Sequence, residues 1–548
     1  MRYLILISFL IFFTASCHKE VVNPAHEIVI DSVFVNDEFA ANGAVLKNVN
    51  YEDVIISIKL SEAVDTSLFD KSKFYITNGV GTSYTFYFDR SSQKLSIAPD
   101  QVLSELSLYR LIIDPGRNMG GTIYYSYLAS FRTRLDTTPK FPKISDDSLL
   151  TLVQKKTFGY FWDHAHPVSG LSRERFGSGD IVTSGGSGFG LMAILVGIER
   201  GFITRGEGFA RLNTTVNFLL RSGTDRFHGA FPHWLNGATG KVIPFSSNDN
   251  GGDLVETAFL MQGLITVREY FRNGTAGEKA MCDSITRLWE EIDWNWYRKE
   301  SQNILYWHWS PDKGWIMNMG ISGWNEALII YVLAASSPTA SIPLEAYTQG
   351  WARNGSYPML NNKVFYGIQL PLGQDYGGPL FFAHYSFLGL DPRNLADQYA
   401  SYWTQNVAHT MINHEYCKTN PKGFAGYADN CWGLTASDIP DGYTASSPTN
   451  DHGVIAPTAA LSSFPYTPLE SMKALKFFYY TIGDRMWGQY GFYDAFSLTS
   501  SWFANSYIAI DQGPIVCMIE NYRTGILWDT FMSSEEIQAG LDKLGFTY

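Results

Sequence analysis

Cysteine is scarce in this chain of 548 residues, which contains five. After Cys17 only Cys282, Cys417, Cys431 and Cys517 remain, with no CxxC and no pairing with a set of closely spaced histidines, which argues against a zinc site. Cys417 and Cys431 share one loop-rich segment and could pair in an oxidising compartment, but two buried free thiols fit the sequence equally well. The 11 histidines form no HExxH, and His164 with His166 in DHAHP reads as a structural or substrate-binding pair; no metal and no other cofactor is expected. Charge is thin as well. Only 17% of residues are charged, the net charge is −12, and no basic stripe appears, so a nucleic-acid groove is excluded.

What is abundant is apolar and aromatic surface. The chain is 45% hydrophobic and 15% aromatic, with 15 Trp and 32 Tyr, enough to bury a large core and to leave rings over for stacking on pyranose faces. Met1 to Ser16 carries Arg2, an apolar run from Tyr3 to Phe13 too short to span a bilayer, and then Thr14-Ala15-Ser16-Cys17. Small residues before a cysteine are similar to a bacterial lipobox, so residues 1–17 are expected to be a lipoprotein signal peptide acylated at Cys17, with 18–26 as a tether. The expected location is a bacterial envelope, as an outer-membrane lipoprotein held to the membrane by its lipid. Between 27 and 136, short alternating segments such as EIVIDSVFV, DVIISIKLS and YRLIID are separated by Gly, Asn, Asp and Ser turns, which predicts an antiparallel sandwich, and SIKLSEAVD followed by KLSIAPDQVLSELSLYRLIID and SFRTR resembles bacterial Ig-like modules, which implies a spacer or docking module. TTPKFPKIS, within the linker 137–145, leads into a helical domain over 146–548.

In that domain six glycine- or proline-marked turns run into apolar stretches, beginning at Gly185, Asn250, Ile321, Tyr376, Gly453 and Asp511. Their starts lie roughly 55 to 75 residues apart, the length of a helical hairpin with its connections. More polar amphipathic segments alternate with them, at 149–163, 208–221, 278–296, 394–416, 469–482 and 535–544. Six hairpins predict a mainly α, closed (α/α)6 toroid whose apolar helices form the inner ring and open their N-termini on one face. Such a face is a place to hold a sugar chain.

Glycoside hydrolysis needs a proton donor for the leaving oxygen and a second carboxylate for water or carbon. Glu256 in NDNGGDLVETAFLMQG is the expected acid, because an apolar helix start would bury it and raise its pKa. Asp249 and Asp253 flank it as substrate-binding candidates; the alternative is that one of them caps the helix and Glu256 completes the cap. The second carboxylate is sought in CWGLTASDIPDGYTASSPTNDHG, where Asp438 leads Asp441, with Asp451 also available, and Asp180 before the first inner helix is a further candidate. Glu326 and Glu520 occupy matching places on other inner helices. His233, Trp234, Trp324, Tyr376, Trp432, Tyr443 and Trp487 fall in turns and are expected to supply stacking faces and donors, although burial in the core is the alternative for each. Arg173 and Arg175 in SRERF could bind hydroxyls or simply pair with Glu174 or Asp163.

The stretches YFWDHAHPVSGLSRERF, DIVTSGGSGFGLMAILVGIERGFI, NDNGGDLVETAFLMQGL, GWNEALIIYVLAASSPT, YGGPLFFAHYSFLGLDPR, WGLTASDIPDGY, APTAALSSFPYTPLESM and WGQYGFYDAFSL together resemble the glucoamylase-like domain of glycoside hydrolase family 144. The resemblance runs in order over 146–548. It implies an (α/α)6 barrel and inverting hydrolysis of β-1,2-glucan by a monomer, with Glu256 where the family has its acid and Asp180 where it has an essential carboxylate. Endo action is expected. The alternatives are an exo-acting enzyme that releases sophorose and a non-catalytic surface glycan-binding lipoprotein.

Overall fold

A computed structural model describes residues 26–77 and 83–548. The signal peptide, Cys17 and all but the last residue of the tether lie outside the described residues. The chain forms two compact units that meet in sequence at Asp136 and Thr137.

The first unit holds two sheets around one apolar core. One has the order Glu38–Phe39, Ile30–Val35, Ile56–Leu60, Lys94–Pro99, Tyr84–Phe88; the other Val45–Val49, Tyr127–Thr133, Leu108–Ile113, Phe74–Thr77. Val33, Val35, Ile56, Ile58, Leu95 and Ile97 of the first and Leu111, Ile113, Ala129 and Phe131 of the second all point into that core. One expectation is corrected. Val45–Val49 runs parallel to Tyr127–Thr133; alternation marks a strand but carries no information on the direction of its partner, and the intervening chain is long enough for the crossover.

The second unit alternates half-buried and fully buried helices. The half-buried ones are α1 (Asp146–Asp163), α3 (Arg205–Leu220), α5 (Ala276–Glu290), α7 (Tyr402–Thr419) and α9 (Pro468–Lys476). Their starts are written locally: Ser145 caps α1, and Thr204 with Glu207 and Thr275 with Glu278 form capping boxes on α3 and α5. The buried ones are α2 (Ser184–Glu199), α4 (Leu254–Phe271), α6 (Leu328–Ser336), α8 (Pro457–Leu461) and α11 (Ala509–Arg523), with α10 the single turn Gly483–Met486. They close into a ring. α2 packs on α4 and α4 on α6; Ile329 N–H of α6 donates to Ser386 Oγ, and His384 Nε2 lies 3.0 Å from Ser463 Oγ after α8. Thr458 of α8 donates to Asp511 O of α11, and α11 returns to α2. α12 (Ile526–Met532) and α13 (Glu535–Leu544) follow, α13 lying on α6.

Two predicted elements differ in form. The first inner stretch is helical from Ser184, so its glycines are not a turn but the means of close approach: a Cβ on Gly188 would sit 2.1 Å from Phe259 O, and one on Gly263 would sit 2.2 Å from Gly188 O. The fourth stretch forms short 3-10 turns, Leu380–Ala383 and Tyr385–Phe387, rather than an α-helix. Tyr376, Gly377 and Gly378 have positive φ, so no regular helix can run through them.

Candidate active site

The N-termini of the inner ring converge on a cleft of about 500 Å³. Trp234, Phe245 and Trp307 line one part of it, Phe381, Tyr385 and Tyr443 another, and the carboxyls of Glu256 and Glu174 open into it. It continues past Arg175 and Tyr443 into a second depression of about 590 Å³ that holds Asp438, Gly442, Trp502 and Phe503.

Glu256 lies in the first turn of α4 and is 7% exposed. Its Oε2 accepts the N–H of Gly185 at 2.7 Å and the hydroxyl of Thr183 at 3.1 Å, both at the start of α2. The start of α2 therefore fixes one oxygen and leaves Oε1 for a proton. Burial raises the pKa of Glu256; the His233 charge opposes it, Asp253 adds to it, and the two hydrogen bonds oppose it.

Asp253 is fully buried and is the cap of α4, accepting the N–H groups of Val255 and Glu256. Its other oxygen faces His233 Nδ1 at 3.1 Å, and His308 Nε2 stands 3.5 Å from Asp249 and 3.7 Å from Asp253. Burial alone would lower His233, but Glu256, Asp253 and Asp249 outweigh it and bring it up to about 9. Burial and Asp253 raise Asp249, whereas at Asp253 the imidazoles and the helix N–H outweigh burial and lower its pKa. Ligand atoms of His233, Asp249 and Asp253 lie within 4.8 Å of one another, a spacing that suits a cation, but both carboxyls already face an imidazole. Glu326 is buried behind this group, and burial with the Glu256 and Asp253 charges raises it to about 7.

Across the cleft, Arg175 joins Glu174 and Asp438: its Nε is 3.1 Å from both Glu174 oxygens and its Nη1 is 3.2 Å from Asp438 Oδ1. Burial raises Glu174 against the opposing pull of Arg175. Asp438 sits on the hairpin Ala436–Ile439 and Gly442–Ala445, directly opposite Tyr443, and its Oδ2 accepts Ser506 Oγ at 2.5 Å.

Glu256, Asp253, Asp249, His233, Trp234, Tyr443 and Asp438 are thus brought to one region, with Glu326 behind them. Other candidates lie elsewhere. Asp180 does not line the cleft; its side chain is 61% exposed and pairs with His166. Asp441 is exposed in the hairpin turn. Asp451 accepts the hydroxyls of Tyr416 and Tyr427 and serves packing. Trp324 and Trp432 are core residues, the first against Phe387 and Tyr402, the second donating its indole N–H to Glu470 O. Tyr376 packs on Phe365, and Trp487 on Tyr479 and Phe492. Glu520 is at the far end of α11, held by Arg200 at 2.6 and 2.9 Å. Cys417 and Cys431 are buried free thiols. Glu174, Phe245, Trp307, Phe381, Tyr385, Asp494 and Asp511 were not singled out by motif; Glu174 beside Arg175 in SRERF was the one visible signal.

The Glycoamylase family model, described as "Putative glucoamylase", matches residues 318–535. An endo-β-1,2-glucanase from Chitinophaga pinensis, solved with sophorotriose and glucose, is 53% identical over 74% of this chain and 99% of its own, with a TM-score of 0.72. A β-1,2-glucanase structure from Parabacteroides distasonis is 39% identical over 92% of this chain and 74% of its own, also at 0.72. An exo β-1,2-glucooligosaccharide sophorohydrolase acting at the non-reducing end, from the same organism, is 46% identical over 421 residues, 73% of this chain; the match spans 58% of that relative's length.

Proposed function

The chain belongs to the glucoamylase-like family that includes these β-1,2-glucanases, and from that premise we propose that it hydrolyses β-1,2-glucan by an inverting acid/base mechanism, as a member of glycoside hydrolase family 144. The observation that carries the mechanism is the setting of Glu256: a buried carboxyl with one oxygen fixed by two donors at the start of α2 and the other free for a proton, opening on an aromatic cleft. Glu256 is the acid. Asp438, paired with Arg175 and facing the continuation of the cleft, is the base that activates water on the opposite face of the sugar. Inversion requires about 6.5 to 9.5 Å between such carboxyls, room for one water. Trp234, Phe245 and Trp307 stack on the glucose units, and His233 and Tyr443 bind hydroxyls.

The cleft continues on both sides of Arg175, which favours endo action on long chains by a monomer. Exo release of sophorose is the second reading, supported by the 46% identity to a sophorohydrolase. The first unit is an Ig-like spacer, and the chain is carried on the envelope by a lipid at Cys17. Reducing-sugar release from β-1,2-, β-1,3- and α-1,4-glucans tests the substrate. Release from the β-1,2 polymer alone is expected, and binding without release would make the protein a glycan binder.

Gly185 gives an independent check on the acid. A Cβ there would stand 2.6 Å from Glu256 Oε2 and 3.0 Å from its Cδ. Gly185→Ala should displace the carboxyl and lower kcat on β-1,2-glucan by about tenfold or more, with the helical circular dichroism retained because alanine favours the helix. Unchanged kcat would mean that this contact does not set the acid.

A further inference from the structure

The carboxyls of Asp494 and Asp511 meet beneath the Asp438 hairpin, where they are 2% and 1% exposed. Asp494 ties its own N–H to Ser506 O, and its Oδ2 accepts the backbone N–H of Asp438 at 2.7 Å. Asp511, in the first turn of α11, accepts the Tyr385 hydroxyl on Oδ1 at 3.3 Å. The other two oxygens, Asp494 Oδ1 and Asp511 Oδ2, are buried with no hydrogen-bond partner among the described residues, and the two carboxyls lie close enough for each to perturb the other. Ionised carboxylates only accept, so a bond between them requires a proton on one.

Among the charged and titratable groups facing the pair, none is a free cation. Asp438 and Tyr443 face it from the hairpin, Tyr385 from its 3-10 turn, and Arg175 from the loop before α2. Arg175 is the one cation among them, and it is engaged by Glu174 and Asp438.

We propose that Asp494 and Asp511 keep a proton between them, and that this singly charged, hydrogen-bonded pair is the positioning device that holds Asp438 toward the cleft. The inference rests on the reading of Asp438 as base. The chain of contacts is short: Asp494 fixes the Asp438 backbone with its carboxyl and Ser506 with its own N–H, and Ser506 donates to Asp438 Oδ2 at 2.5 Å. Asp494 and Asp511 touch no substrate and act through Asp438. Loss of the proton would put two carboxylates in contact in the interior and loosen the hairpin. Burial supports retention, raising Asp494 to about 7 and Asp511 well above its ordinary 3.8. Both groups are shifted upward, so the stabilisation is complete below 3.8 and, for Asp494, is lost as pH rises through about 7.

The test uses the full chain as wild type, Asp511→Asn and Asp511→Ala, with kcat on β-1,2-glucan and the melting temperature followed against pH. Asparagine supplies a permanent N–H in place of the shared proton. Asp511→Asn should keep turnover within about threefold at mildly acidic pH and shift the alkaline fall of both kcat and Tm upward by about one pH unit or more. Asp511→Ala should lose about tenfold or more throughout, because Asp494 is left without its partner. The infrared difference spectrum of wild type minus Asp511→Asn should show the carbonyl band of one buried protonated carboxyl, beyond the bands of Glu256 and Glu326 that both proteins share. An asparagine variant as impaired as the alanine one, an alkaline limb that coincides with wild type, or no such difference band would overturn the pair. Should wild type release nothing from β-1,2-glucan, the functional reading fails, while the infrared band and the pH dependence of Tm still decide the proton.

Discussion

Glu256→Gln should reduce kcat on β-1,2-glucan by a factor on the order of 10² to 10⁴ with little change in KM, because general-acid catalysis is lost while the cleft is kept. Glutamine has the size of the acid. Its carbonyl can still accept from Gly185 N–H and Thr183 Oγ1, and its amide then points where the acid's proton was. Substitution of a buried acid by a neutral isostere should also leave melting at neutral pH unchanged or slightly raised, since burial already disfavours the charged form. Kinetics on polymeric substrate together with a melting curve check both halves. A variant that folds and turns over near the wild-type rate would remove Glu256 from the mechanism.

Asp438→Asn carries the second-largest expected effect, a fall in kcat on the order of 10² to 10³. The asparagine oxygen can still accept from Arg175 or Ser506, so the hairpin should stay in place while the proton acceptor is lost. A small anion offers a discriminating readout. Azide entering on the water side should restore turnover in Asp438→Asn and give the α-glycosyl azide, the product of inversion at a β-linkage. Glu174 shares Arg175 with Asp438 and also lines the cleft, so Glu174→Gln belongs in the same series. A large loss with azide rescue in Glu174→Gln, and a mild loss in Asp438→Asn, would transfer the base to Glu174.

The ring was legible because helices buried on all sides must be apolar on all sides, and the stretches from Gly185, Asn250, Ile321 and Asp511 are so. Glu256 was legible for the complementary reason: a carboxyl in such a run has to be explained. The reading of glycine went astray at 185–190, since a glycine that lets two backbones approach and one that makes a turn look alike in a string. Aromatic residues misled in the same way. Trp324 and Trp432 sit in turns by sequence, yet their rings point into the core, and no local pattern says which way a turn residue faces. The true cleft walls, Phe245, Trp307 and Phe381, come from three separate loops and meet only in the folded ring. The partnership of Asp438 with Arg175, 263 positions away, and the meeting of Asp494 with Asp511 are likewise products of closure.

The measurement that bears most directly on the account is the anomeric configuration of the first sugar ends released from β-1,2-glucan, followed by proton NMR before mutarotation equilibrates them. The account predicts prompt appearance of α-anomeric reducing ends in oligosaccharide products, with β signals growing only later. Reducing ends that appear first as the β-anomer, or no new reducing ends at all, would contradict it.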